Sequence, residues 1–268
     1  MNILVPTDFS EIADNALSFA AIMSAKLDAK IILLHVIPPN TWWVFDSDLI
    51  AGARQKQELI KKKLVDDGMS EAAIETHIIS DFPLNKYINS FISHHKIDFI
   101  IMGSHGKGLS KAPLGSFTMG MISNVPIPVL VIPPQAKPEP FNHILYPTDL
   151  ENVIDETKKL LPLARAFQAS INIIHVTNGD IGAELLANSS LQGINTLMEY
   201  SPITSEVVHE VPIGKAIIQQ IRKHNANLLV MFAHEKNFLE KLLHGSRTDQ
   251  MSNQIEIPLL VFHKTAIK

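Results

Sequence analysis

The chain is written twice. Ile3-Leu4-Val5-Pro6-Thr7-Asp8 recurs as Ile144-Leu145-Tyr146-Pro147-Thr148-Asp149, and Leu33-Leu34-His35-Val36 as Ile173-Ile174-His175-Val176. Ile97-Asp98-Phe99-Ile100-Ile101-Met102 recurs as Ala226-Asn227-Leu228-Leu229-Val230-Met231, Gly115-Ser116 as Gly245-Ser246, and Ile127-Pro128-Val129-Leu130-Val131 as Ile257-Pro258-Leu259-Leu260-Val261. The order is the same in both copies, and the offset falls from 141 to 130, so the second copy is shorter in its middle. Ordered self-similarity of this kind means repeated structural units. The reading is a first domain over residues 1–134, a linker over 135–140 and a second domain over 141–268. The proline-rich run from Pro133 to Pro140 forms a semi-rigid connection.

Each copy alternates short apolar runs with longer amphipathic stretches. Ile3 to Val5, Ile31 to Val36 and Phe99 to Met102 are almost continuously apolar, as strands buried on both faces of a parallel sheet must be. Thr76 to Ile79 and Val129 to Ile132 complete five strands, with helices expected near 10–27, 50–67, 84–95 and 115–124. The second copy predicts strands near 143–146, 171–176, 206–210, 227–232 and 259–263. This β-α alternation specifies an α/β fold with an open parallel sheet in each copy and right-handed crossovers.

Composition narrows the function classes. The net charge of −4 splits into −1 and −3 about residue 137, so neither half is a basic module that would neutralise nucleic-acid phosphates. Cysteine is absent, which excludes disulfides, Cys-ligated metals and thiol catalysis. Pro6, Thr7 and Asp8 interrupt the apolar start, so no signal peptide is read there. No apolar run approaches the roughly 18–20 residues that span a bilayer. The expectation is a cytoplasmic protein with no membrane and no nucleic-acid partner.

In an open α/β sheet, small molecules bind beyond the carboxyl ends of the strands, where strand order reverses. After strand 1 stands Pro6-Thr7-Asp8; after strand 2 come Ile37-Pro38-Pro39 and the Trp42-Trp43 segment; after strand 4 comes Gly103-Ser104-His105-Gly106-Lys107-Gly108, running to Gly115-Ser116 before a helix. Clustered glycines let backbone N–H groups approach an anion, and a helix start adds a positive dipole end. The segment therefore reads either as a phosphate cradle or as a tight turn. Leu109 stands where a Walker A motif requires lysine, and no GxGxxG is present.

With these residues in view, both halves resemble universal stress protein domains, and the chain resembles the tandem two-domain type. The matching features are Val5-Pro6-Thr7-Asp8, Leu34-His35-Val36 and the glycine set after strand 4. The family's signature has nine residues between its second and third glycines, whereas eight separate Gly106 from Gly115 here. The resemblance implies two Rossmann-like domains of the adenine-nucleotide α-hydrolase-like type, each with a five-stranded parallel sheet. It implies that Pro6, Thr7 and Asp8 face a nucleoside, with the Val36 backbone near adenine. Met102 and Gly103 would line the ribose and α-phosphate side. Gly106, Gly115, Ser116 and Thr118 would hold the phosphates of ATP or another adenine nucleotide, bridged by Mg²⁺ or Mn²⁺. Pro113 removes a backbone donor within the shortened stretch. In the second copy Phe232 and Glu235 replace the first two glycines, so no ATP is expected there.

Structural readings stand beside these. Asp8 with Glu11 fits a helix capping box, and a helix start alone accounts for Gly115-Ser116. The histidines are scattered; His35 and His175, like His105 and His234, hold equivalent positions and read as packing or hydrogen-bonding groups. No histidine pair has zincin spacing and no Gly-x-Ser-x-Gly is present, so no catalytic residue and no metal ligand is nominated. The leading expectation is a nucleotide-binding stress-response regulator. The alternative is an interaction scaffold with vestigial sites. An enzyme, at most a weak ATP hydrolase with His105 as base, ranks last. Strand 5 of each copy is expected at a sheet edge, so the two should pair in an intramolecular pseudo-dimer, with further homodimerisation left open.

Overall fold

The computed structural model describes residues 1–37, 47–79, 84–106, 114–177, 179, 181–209, 212–233 and 255–263. Trp42-Trp43, Gly108, Leu109, Pro113, His234, Glu235 and Gly245-Ser246 lie outside these residues. The chain divides into two compact units, Met1–Glu139 and Pro140–Lys268.

The first unit runs β1 (Asn2–Thr7), α1 (Glu11–Leu27), β2 (Lys30–Val36), α2 (Ser47–Asp66), a single 3₁₀ turn, β3 (Ile74–Ile79), α3 (Leu84–His94), β4 (Phe99–Gly103), α4 (Ser116–Asn124) and β5 (Val129–Ile132). The strands are parallel and stand in the order β3-β2-β1-β4-β5. Ile3, Leu4, Val5, Ile31, Ile100 and Ile132 are all shielded from solvent, which is why these strands read as unbroken apolar runs. Chain order reverses at β1, which pairs with β2 on one side and β4 on the other. That is the switch point where such sheets open a crevice.

Helix α1 forms because Ala13, Ala16, Leu17, Ala20 and Met23 recur at helical spacing and are buried, while Glu11 and Asp14 complement its N-terminal dipole. Its N-cap is Ser10, whose hydroxyl accepts from Ala13 N at 3.3 Å. The capping-box reading of Asp8 with Glu11 is therefore corrected. Phe9 has φ 59° in the left-handed region, and this reversal displaces the helix start beyond Asp8. Asp8 Oδ1 instead accepts from Ser10 N at 3.1 Å, and Thr7 Oγ1 accepts from Phe9 N at 3.0 Å. Both bonds hold the tight turn.

The second unit repeats the plan. It has β6 (His143–Pro147), α5 (Val153–Phe167), β7 (Ser170–Thr177), α6 (Ile181–Leu191), α7 (Ile194–Leu197), β8 (Ile203–His209), α8 (Ile213–Lys223), β9 (Leu228–Ala233) and β10 (Leu259–His263). Its parallel strands stand in the order β8-β7-β6-β9-β10. The Thr-Asp turn recurs here: Leu150 has φ 72°, Thr148 Oγ1 accepts from Leu150 N at 3.0 Å, and Asp149 Oδ1 accepts from Glu151 N at 3.1 Å. Strands β3 and β8 begin a few residues before their expected starts. Each is the outermost strand of its order, and Glu75 and Glu206 break its apolar pattern. Among the described residues no helix is long and apolar enough to cross a membrane.

Candidate functional site

A cleft of about 300 Å³ opens in the first unit at the carboxyl ends of β1, β2 and β4. Ala13, Leu34, Val36, Met102 and Pro6 form its apolar wall; Thr7, Asp8 and His105 supply polar groups, and Gly103, Gly106, Phe117 and Thr118 complete it. A cavity of this size stands at the lower end of the range for small-molecule sites, roughly 300–1,000 Å³. Among the described residues Asp8 is the one carboxylate in its lining.

Each group is positioned by the local fold. The β1 turn presents Thr7 and Asp8, and His35 Nδ1 lies 2.8 Å from the Thr7 carbonyl, tying the end of β2 to that turn. Two glycines fix the floor and rim. A β-carbon on Gly103 would fall 2.5 Å from Ile12 Cγ2 and 3.3 Å from the Ile12 carbonyl, so glycine is what lets α1 close over β4. At Gly106 a β-carbon would stand 3.1 Å from Asp8 Oδ2, which brings the loop after β4 against the Asp8 carboxylate.

Of the residues singled out in sequence, Pro6, Thr7, Asp8, Val36, Met102, Gly103, Gly106 and Thr118 line this one cleft. Gly115 and Ser116 do not; they begin α4, whose next two residues, Phe117 and Thr118, do. The Gly115 N–H donates to the Ser104 carbonyl at 2.8 Å and so is already engaged. The Thr118 hydroxyl donates to the Gly103 carbonyl at 3.0 Å, pinning α4 to the end of β4. Leu34, quoted in sequence as part of Leu34-His35-Val36, lines the cleft as well; Ala13 and Phe117 also line it and carry no sequence signal, being ordinary apolar residues of helices. His105 Nδ1 lies 2.9 Å from Ser104 Oγ.

The equivalent place in the second unit is smaller, about 130 Å³, and is lined by Pro147, Thr148, Asp149, Glu156, His175, Val176, Ile213 and Phe232. Phe232 stands where the first unit has Gly103. Its ring stacks on Phe262 with centroids 4.8 Å apart and meets Tyr146 edge-on at 5.4 Å. The three rings pack against one another, and Phe232 lines the smaller cleft. The buried Tyr146 hydroxyl donates to Glu156 and lies 3.2 Å from Thr148 Oγ1. His175 Nδ1 lies 2.9 Å from the Thr148 carbonyl, the same bond that His35 makes.

The family model described as "Universal stress protein family" matches residues 1–133 and 140–263. Universal stress protein Slr1230 of Synechocystis is 24% identical over 290 residues, covering 97% of this chain and 99% of that protein. Universal stress protein MJ0577 of Methanocaldococcus jannaschii is 32% identical over 154 residues, covering 48% of this chain and 93% of the relative. A crystal structure of a universal stress protein from Archaeoglobus fulgidus superposes with a TM-score of 0.69 at 20% identity, covering 100% of this chain and 97% of that one.

Proposed function

The chain belongs to the universal stress protein family, and from that premise we propose that its first domain binds ATP or another adenine nucleotide and that the second does not. The observation that carries this reading is the contrast between the two clefts. The first is more than twice the volume of the second, 300 against 130 Å³, and Phe232 lines the second at the position that Gly103 holds in the first. An apolar wall of Pro6, Leu34, Val36 and Met102 suits a planar base, and Thr7 and Asp8 offer hydrogen-bonding groups to a sugar.

The residues at hand fit the nucleoside end of such a ligand. Gly106 brings backbone close to Asp8 where phosphates would leave the cleft, and the first turn of α4 lines the cleft through Phe117 and Thr118. Mg²⁺ or Mn²⁺ would enter with the phosphates and neutralise their charge, with Asp8 as the carboxylate at hand. The protein's part is to bind and orient. The proposed role is regulatory, with at most weak hydrolysis.

A second reading, an interaction scaffold with vestigial sites, is favoured by the engaged Gly115 N–H and the shortened glycine spacing. Isothermal titration with ATP and Mg²⁺ separates the two. Nucleotide binding predicts one site, weakened in Asp8→Ala and kept in Asp149→Ala. The scaffold predicts no heat of binding, and affinity unchanged by Asp8→Ala removes the first-domain site.

The two domains, in this reading, pair within one chain through β5 and β10, satisfying backbone groups that an open sheet edge would leave exposed. Because the chain has no cysteine, single cysteines placed in each of these strands report on it directly. Cross-links within one chain support the pairing, and cross-links found between chains alone contradict it.

A further inference from the structure

We propose that the outer edge of the first domain carries a binding site for a zinc-class divalent transition metal, formed by Glu75, His77 and His95. Glu75 and His77 alternate along β3, so both project from the same face of the strand. His95 follows the last residue of α3 and reaches the same point. His77 Nε2 lies 2.5 Å and His95 Nδ1 3.7 Å from Glu75 Oε1, and one ligand atom from each residue falls within 4.8 Å of the others. A tetrahedral centre with bonds of about 2.0–2.2 Å needs donor atoms about 3.3–3.6 Å apart. The two contacts to Glu75 bracket that separation, so small side-chain rotations bring all three atoms onto one ion.

The histidines are held in place from behind. The His77 carbonyl accepts from Nε2 of the buried Gln57 at 2.8 Å, and the His95 carbonyl accepts from Asn2 Nδ2 at 2.8 Å. The buried Phe91 ring stacks on His95 at 4.1 Å and meets His77 edge-on at 5.2 Å. Ligands oriented in advance by a surrounding shell bind a metal more tightly than free side chains. Burial first, then the neighbouring His77, holds the His95 imidazole below its ordinary pKa, favouring the neutral form that ligates. Two imidazole nitrogens and one carboxylate oxygen suit zinc and its neighbours rather than magnesium or calcium. None of the three lines the nucleotide cleft. The set is invisible in sequence spacing because α3 separates the strand ligands from His95.

The test uses the full-length protein, stripped with chelator and free of nucleotide. Zn²⁺ is titrated calorimetrically, and Co²⁺ is followed by visible absorption, whose intensity reports tetrahedral coordination. The expected result is one tight Zn²⁺ per chain and intense Co²⁺ bands. His77→Ala and His95→Ala should each weaken binding by more than about tenfold, the size of effect seen even for outer-shell changes. Because His95→Ala also removes a ring stacked on Phe91, Glu75→Gln carries the decision, since it keeps shape and polarity while deleting the charge. His209→Ala, which breaks a two-residue pair with Glu184 in the second domain, should leave affinity unchanged. Absence of binding, or binding that all three site variants retain, which would mean adventitious contact with surface histidines only, overturns the proposal.

Discussion

A β-carbon added to Gly106 would lie 3.1 Å from Oδ2 of Asp8. The two residues come from the ends of β4 and β1, and this closeness lets one cleft combine a carboxylate with a glycine rim. Valine at 106 would push branched carbons toward the carboxylate without touching the core. Gly106→Val is expected to weaken adenine nucleotide by at least tenfold, about 1.4 kcal/mol, while Tm moves by no more than about 2 °C, as for other surface changes. Titration beside a thermal melt checks both. Unchanged affinity would place the nucleotide elsewhere.

Gly103 differs from Gly106 in kind. Its missing side chain is what α1 packs against, with the Ile12 Cγ2 atom 2.5 Å from where a β-carbon would stand. Gly103→Ala should therefore cost about 1–3 kcal/mol through overpacking, seen as a lower denaturant midpoint with the slope unchanged. Ile12→Ala in the same chain should recover part of that loss. Independent, additive losses would show that the two residues do not compete for space.

The sheet was legible because its strands are buried on both faces: Ile3, Leu4 and Val5 have no exposed surface and no polar residue interrupts them. Outermost strands were harder, since Glu75 in β3 and Glu206 in β8 break the apolar pattern and hide the strand starts. In the cleft, residues with unusual chemistry or none at all, Asp8 and the glycines, could be singled out. Ala13 and Phe117 could not, because only the fold distinguishes them from other apolar residues. The Asp8–Glu11 capping box failed for a local reason: the positive φ of Phe9 moves the cap to Ser10, which no spacing rule anticipates.

The paired bonds of His35 to the Thr7 carbonyl and His175 to the Thr148 carbonyl predict a shared structural role with one functional difference. Each His→Ala variant should lose about 1 kcal/mol of stability, the usual contribution of one hydrogen bond. Nucleotide affinity should fall in His35→Ala, whose turn carries Asp8, and stay level in His175→Ala. Equal effects on affinity would contradict the assignment of the site to the first domain.

Tyr146 makes the second domain sensitive to alkali. Burial first, and then its hydrogen bond to the Glu156 carboxylate, push its hydroxyl far above the ordinary value of 10.0. The folded state thus keeps its proton where the unfolded chain releases it. The stabilising contribution is complete below about pH 10 and is lost as pH rises beyond it. Tyr200 is shifted the same way, again by burial. In denaturant melts across this range, Tyr146→Phe should flatten the alkaline decline relative to the parent, and adding Tyr200→Phe should flatten it further. At neutral pH the first substitution should cost about 1–3 kcal/mol, because Glu156 loses a buried donor. Parallel declines in parent and variant would show that the tyrosine does not govern it.

One working nucleotide site per chain, in the first domain, is what the proposed function requires. Its most direct test is mass spectrometry of the small molecules released on denaturing the purified protein, after saturation with ATP and Mg²⁺ and removal of unbound ligand, quantified per chain. One adenine nucleotide per chain is expected, lost in Gly106→Val and retained in Asp149→Ala. Two per chain would show that Phe232 does not close the second cleft, and none would show that the first cleft does not hold nucleotide.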